Sequence, residues 1–180
     1  MTRSQHFSEL LFRGKVFSVQ RHSAVEPGGV QVVREVVHHG GSAVILPRFA
    51  DGRILLIRQY RLAAGKLLWE LPAGSIDEGE TALQAAKREL AEETGYRSQS
   101  WHKLLEFYPS PGFVDEKMTV FVAKRIRAEQ AHLEQDERII ARSFTMDEAL
   151  GLVQGGKIVD AKTLIGLLYF ERWGREVIDE

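Results

Sequence analysis

The stretch ETALQAAKRELAEETG, residues 80–95, leaves the fewest choices to a chain that contains it. Leu83, Ala86 and Leu90 recur at helical spacing, and Gly95 stands where a helix-ending glycine belongs, so the spacing predicts a helix that stops there. Three glutamates, Glu89, Glu92 and Glu93, crowd its end. An α-helix advances about 100° per residue, which places Glu92 about 60° to one side of Glu89 and Glu93 about 40° to the other. The carboxylates therefore border the apolar stripe, and like charges at this spacing repel. Two readings stay open on the helix alone. One is a solvated acidic face, with Lys87 and Arg88 as partial partners. The other is a site for a divalent cation, because closely grouped oxygen ligands suit Mg²⁺ or Mn²⁺.

Composition narrows what can surround that helix. With 180 residues and 44% hydrophobic content, the chain suits one globular domain with a core. A net charge of -1 gives no basic field for nucleic acid or an anionic membrane. The absence of cysteine removes disulfides and thiolate chemistry, so any metal must use oxygen or histidine ligands. The N-terminus has no long apolar segment of the signal-peptide kind, and the longest apolar runs are too short to span a bilayer. A cytoplasmic home is the expectation.

Around the helix the order of elements is strands, helix, strands, then helices. KVFSVQRHSAV and VQVVREVVHH read as a β-hairpin across EPGG. SAVILPRF and ILLIRQYR read as a second pair turning at Asp51-Gly52, and LLWELPAG as one short buried strand ended by Pro72 and Gly74. Later come strands in WHKLLEFYPSPG, KMTVFVAKRI and RIIARSFT, a polar loop AEQAHLEQDE, and helices in MDEALGLVQGG and AKTLIGLLYFERWG. That pattern predicts an α/β layered domain with a mixed sheet. Residues 1–40 are expected to form a separate N-terminal β-hairpin and dimerisation segment, and 41–180 the main domain, divided near Gly40-Gly41.

Taken from Gly74, the segment GSIDEGETALQAAKRELAEETGY resembles the Nudix box, G-x5-E-x7-R-E-U-x-E-E-x-G-U, with U a bulky aliphatic residue. Gly74, Glu80, Arg88, Glu89, Leu90, Glu92, Glu93 and Gly95 fall in register, and Tyr96 at the final U is a change at a packing position. The resemblance implies an α/β/α sandwich with a mixed sheet and a small N-terminal antiparallel sheet. It also implies hydrolysis of a nucleoside diphosphate linked to another group, with Mg²⁺ or Mn²⁺ as cofactor. Glu89 and Glu93 would be the principal metal ligands and Glu92 a further one, while Arg88 and Glu80 would be structural.

Four features are similar to the ADP-ribose pyrophosphatase branch: Pro111 beyond the box, LFRGKVFSV, the run RQYRLAAGKLLWELPAGSIDEGE into the box, and GGKIVDAKTLIGLLYF. The branch adds the Ala73 carbonyl as a metal ligand. It places Arg61 on a phosphate, Arg34 and Phe17 on the adenosine part, and Ser75, Pro111 and Glu116 with the substrate. Phe12 and Val16 compete with Phe17. For the base that takes a proton from the attacking water, HLEQDERII offers Glu134, with Glu137 its rival and Asp136 an extra metal ligand. The implied activity is cleavage of ADP-ribose to AMP and ribose 5-phosphate by a homodimer with swapped N-terminal strands. A hydrolase of other nucleoside diphosphate sugars, of the GDP-mannose or ADP-glucose type, is the alternative, and a non-catalytic Nudix ligand sensor a third. No nucleic-acid or membrane partner is expected.

Overall fold

The computed structural model describes residues 7–128 and 139–174. Strands β1 (Phe7–Arg13), β2 (Phe17–Val25) and β3 (Gln31–His39) form a small antiparallel sheet in the order β1-β2-β3. The hairpin expected from 15–40 is β2–β3, and β1 adds a third strand along β2. This sheet meets the following chain through Val37, whose N–H donates to the Phe113 carbonyl and whose carbonyl accepts from Asp115 N–H. Asp115 also accepts from the His39 N–H at 2.9 Å and pairs with His38 Nδ1 at 2.6 Å. His38 Nε2 in turn lies 2.8 Å from His22 Nε2.

The main sheet is mixed. Its strands are β4 (Ser42–Arg48), β5 (Ile54–Arg61), β6 (Lys66–Glu70) and β7 (Ala73–Ser75), then β9 (Ser100–Phe107), β10 (Met118–Lys124) and β12 (Ile140–Phe144). A short pair, β8 (Tyr96–Arg97) with β11 (Arg127–Ala128), lies apart. The principal order is β12-β5-β4-β10-β9, with only β4 and β10 parallel. Helices α1 (Ala82–Thr94), α2 (Met146–Gln154) and α3 (Ala161–Tyr169) cover it. Two-residue alternation splits β4 between two cores. Val44 and Leu46 pack with Phe144, Met146, Ala149 and Leu167 towards α2 and α3. Ala43 and Ile45 pack with Ala85, Ala86 and Leu90 of α1. The result is the layered α/β arrangement that the element order predicts, and both faces of β4 are buried.

One local expectation changes. SAVILPRF and ILLIRQYR do turn at Asp51-Gly52, with Gly52 at φ 90°, but β4 and β5 are paired only at Arg48 and Ile54. Beyond that point they splay, and residues 66–75 fill the fork. Lys66–Glu70 pairs along β5, Pro72 accepts from Ile45 N–H, and Ala73–Ser75 pairs along β4. LLWELPAG is therefore not one strand but a chain that changes partner at Leu71-Pro72. Proline has no N–H for a ladder, so the change falls where none is needed.

The α1 ends are set by short-range chemistry. Thr81 and Gln84 form a reciprocal capping box at its start, and Gly95 closes it at φ 70°, its N–H donating to the Ala91 carbonyl. A side chain at that φ is strained, so Gly95→Ala is expected to lower stability by about 1 kcal/mol, read as a lower urea midpoint at unchanged slope.

Candidate active site

The partner-changing strand delivers Ala73 and Gly74 beneath the acidic end of α1. The Ala73 N–H donates to Glu93 Oε2 at 3.0 Å. At Gly74 an added Cβ would overlap the Glu89 carboxylate, so the glycine is required for close approach rather than for backbone freedom. The two carboxylates thus flank the same two residues. Burial ranks the three glutamates. Glu93 is 7% exposed, the Glu89 side chain 14%, and the Glu92 side chain 44%. The apolar stripe of α1 is Ala85, Ala86 and Leu90, with Leu83 at its margin, so the glutamates do border the buried face.

Arg88 organises the acidic group. It donates to Glu80 through Nε at 3.2 Å and Nη2 at 2.9 Å, and to the Ser75 carbonyl at 3.0 Å. Its Nη1 donates to Glu89 at 2.6 Å and Glu92 at 3.1 Å. These bonds, that to Glu80 foremost, raise the guanidinium above its ordinary pKa. The same bond holds the Glu80 carboxyl below the usual range. Five acceptors on one planar donor use the fork geometry that lysine lacks.

A second charged group lies alongside. Glu70, at the end of β6, has none of its surface exposed. Arg61 donates to it through Nε at 2.9 Å and Nη2 at 2.7 Å, and Lys162 through Nζ at 2.5 Å. Burial alone would push the Glu70 carboxyl up; the bonds and charges of Arg61 and Lys162 outweigh it and leave it lowered. Glu70 foremost, and the charges of Glu93 and Asp160 among the rest, raise Arg61, so the guanidinium lies within electrostatic reach of the α1 carboxylates.

The other residues singled out in the sequence fall in distinct places. Glu116 is half-buried and accepts from Ser42 Oγ at 2.5 Å, beside His39. Pro111 opens the exposed turn before it. Arg34 is exposed and paired with Glu26 at 3.4 Å. Phe17 is 42% exposed and packs against Phe12, while Val16 is 58% exposed. Ser75 meets the group through its carbonyl. Glu134, Asp136 and Glu137 lie outside the described residues. Nothing local in the sequence marks Glu70, Asp160 and Lys162; WELPAG and DAKT show an acid and a base, but only the fold brings them together across 92 positions.

Among the described residues no three histidine or acidic side chains form a group arranged to hold a metal ion, and Arg88 and the Ala73 N–H engage the α1 carboxylates. The donor chemistry nevertheless fits a hard divalent cation. It is all oxygen, anionic, and gathered against the Ala73–Gly74 backbone, where no side chain could intrude.

The chain matches the NUDIX domain family over residues 38–165. It is 35% identical over 165 residues to the ADP-ribose pyrophosphatase of Bacillus subtilis, covering 91% of this chain and 89% of that one. It is 37% identical to the ADP-ribose pyrophosphatase of Mycobacterium tuberculosis, covering 89% and 79%. A GDP-mannose pyrophosphatase of Cronobacter sakazakii is 36% identical over 151 residues, covering 78% of each chain. In fold, it superimposes on the crystal structure of an ADP compounds hydrolase with a TM-score of 0.82 at 22% identity, over 100% of this chain and 98% of that one. The chain belongs to the Nudix family and is a Nudix hydrolase. Nudix hydrolases generally use a divalent metal ion.

Because Glu80 is lowered by Arg88, its contribution to stability is present above the unfolded carboxylate pKa near 4.5 and lost as pH falls through the lower folded value. Replacing Arg88 by Met is expected to lower the melting temperature at neutral pH and to flatten its fall as pH drops below the ordinary carboxylate range, measured by calorimetry against pH.

Proposed function

We propose that this enzyme hydrolyses the diphosphate of ADP-ribose, giving AMP and ribose 5-phosphate, with Mg²⁺ or Mn²⁺. The observation that carries this reading is the packing of Glu89 and Glu93 on the same two residues, Ala73 and Gly74. Likeness to ADP-ribose pyrophosphatases across about nine-tenths of the chain supports the substrate. Hydrolysis of another nucleoside diphosphate sugar is the second reading, supported by the GDP-mannose pyrophosphatase relative over a smaller share.

Glu89 and Glu93, with the Ala73 carbonyl and Glu92, would hold the cation. When bound, it supplies positive charge against the diphosphate and the charge that develops there. The chain's own groups do the rest. Arg61 binds a phosphate oxygen through the side of its guanidinium not held by Glu70. Arg88 holds the Glu89 and Glu92 carboxylates together, while Glu80 and the Ser75 carbonyl hold the arginine. Phe17 and Arg34 meet the adenosine part, and Glu116, Ser75 and the Pro111 turn border the substrate. A carboxylate of the 129–138 stretch, Glu134 or Glu137, takes the proton from the water that attacks phosphorus, and Asp136 adds a metal ligand.

The subunits associate through the N-terminal sheet, in keeping with Phe7, Leu10, Phe12, Val16 and Phe17, each more than two-fifths exposed on β1, the turn after it and the start of β2. The 1–40 segment is thus read as the dimerisation unit. Light scattering should report twice the chain mass, and a single-chain mass refutes the pairing.

Kinetic tests address the chemistry. In a panel of ADP-ribose, ADP-glucose and GDP-mannose, ADP-ribose should have the highest kcat/KM, and faster turnover of a hexose conjugate sinks this substrate assignment. Glu93→Gln should cut kcat by about a hundredfold or more, since metal charge stabilisation supplies several kcal/mol. Unchanged turnover in that variant refutes its metal role.

A further inference from the structure

The Glu70 group contains an electrostatic arrangement that a phosphate-binding arginine does not need for mere packing. Arg61 gives Nε and Nη2 to Glu70, while its Nη1 carries no hydrogen bond among the described residues and the side chain is 39% exposed. Paired with Glu70 alone, this cation would present almost no net charge to an incoming diphosphate, because the carboxylate beside it repels the same anion. Lys162, only 9% exposed, meets the same Glu70 oxygen, Oε2, that Arg61 Nη2 meets. Its ammonium also lies 3.0 Å from Asp160. Asp160 is already committed elsewhere: it caps α3, accepting from Thr163 N at 3.0 Å and Thr163 Oγ1 at 2.6 Å, where the helix N-terminus favours its charge. Thr163 Oγ1 itself accepts from the Leu71 N–H at 2.8 Å, so the first turn of α3 also fixes the chain where it changes from β5 to β4.

We propose that Lys162 is a positioning residue for phosphate recognition. Its buried ammonium offsets the charge of Glu70, so Glu70 fixes the Arg61 guanidinium without cancelling it. This rests on the reading above in which Arg61 meets a phosphate of the substrate. The division of labour follows from the donors each cation has. Arginine offers a planar fork, two arms for Glu70 and one side for the ligand, whereas lysine serves as a compact point charge. Lys162 acts on affinity through Arg61 and does not touch the reacting atoms.

The test is steady-state kinetics with whichever of ADP-ribose or GDP-mannose the enzyme turns over faster, on variants whose melting curves confirm folding. Arg61→Ala should raise KM. Lys162→Met should raise KM about tenfold with kcat within about twofold, the signature of lost uniform binding of a charged group. In an Arg61→Ala background, Lys162→Met should change KM by less than about twofold, because the pathway of its effect is gone. Glu70→Gln with Lys162→Met should restore KM to within about threefold of the parent, since no carboxylate then opposes Arg61. A purely structural lysine gives no such rescue. A wild-type KM in Lys162→Met, or a rise that persists without Arg61, overturns the proposal. If Lys162→Met does not fold, Glu70→Gln is compared with the double variant: equal KM values support the proposal, and a further rise in the double variant overturns it. An unchanged KM in Arg61→Ala instead overturns the phosphate role of Arg61, and the proposal with it.

Discussion

A carboxylate with no exposed surface has to be compensated, and Glu70 is compensated from two directions at once. Arg61 comes from the end of β5 and Lys162 from the first turn of α3, so the charge ties the sheet to the helix layer that packs on it. Breaking one partner of such a group leaves an ion in a medium that solvates it poorly, at a cost of about 3–5 kcal/mol. The geometry of the neighbouring residues follows from that constraint. Leu71 is held to Thr163, Pro72 to Ile45, and Ala73 begins its pairing with β4. Three successive residues are thereby placed by two different elements, α3 and β4, which is how a short stretch without long ladders becomes rigid enough to carry a site.

That rigidity matters because Gly74 has no room to move. The Glu89 carboxylate occupies the space where a Cβ would lie, and Glu93 is fixed by the adjacent N–H. A loose strand would drift away from α1 and open the gap between the acidic helix and the backbone. The fork between β4 and β5 is the source of the fit. If the two strands paired along their full length, residues 66–75 would be excluded from the sheet and the acidic end of α1 would face the flank of β4.

How far the sequence reveals this depends on the range of each interaction. The helix was legible because Leu83, Ala86, Leu90 and Gly95 recur within a few positions of one another, although the Thr81–Gln84 capping box at its start was not read. The glycine turn at Asp51-Gly52 was legible for the same reason. On its own the helix favours a solvated acidic face, and the metal-site reading rests on the register of Gly74 and Glu80 with it. The fork was not legible. A run such as LLWELPAG carries one hydrophobic pattern whether it pairs with one neighbour or two, and Pro72 marks the break without naming the partners. Nor were the Glu70–Lys162 and His38–Asp115 contacts, which join residues 92 and 77 positions apart and leave no periodic trace. The outcome for Glu134, Asp136 and Glu137 lies beyond the described residues, so the late acidic stretch stands on resemblance alone.

The acidic end of α1 shows why a chain tolerates what helix physics discourages. Glu89, Glu92 and Glu93 repel one another, and they sit in the half of a helix where the backbone dipole disfavours negative charge. Arg88 offsets part of this by reaching both Glu89 and Glu92, while Glu80 and the Ser75 carbonyl hold the arginine in place. The Ala73 N–H offsets another part at Glu93. The result is a cluster of oxygen donors in which one arginine is shared among several anions. Local preference is sacrificed at functional positions when the surrounding fold is strong enough to hold them, and here the surrounding fold is the buried core of α1 against β4. In the proposed metal-binding role, the residual repulsion would favour taking up a divalent cation. A bound cation would lower that repulsion, so metal affinity and helix-end stability would be two readings of the same charge cluster.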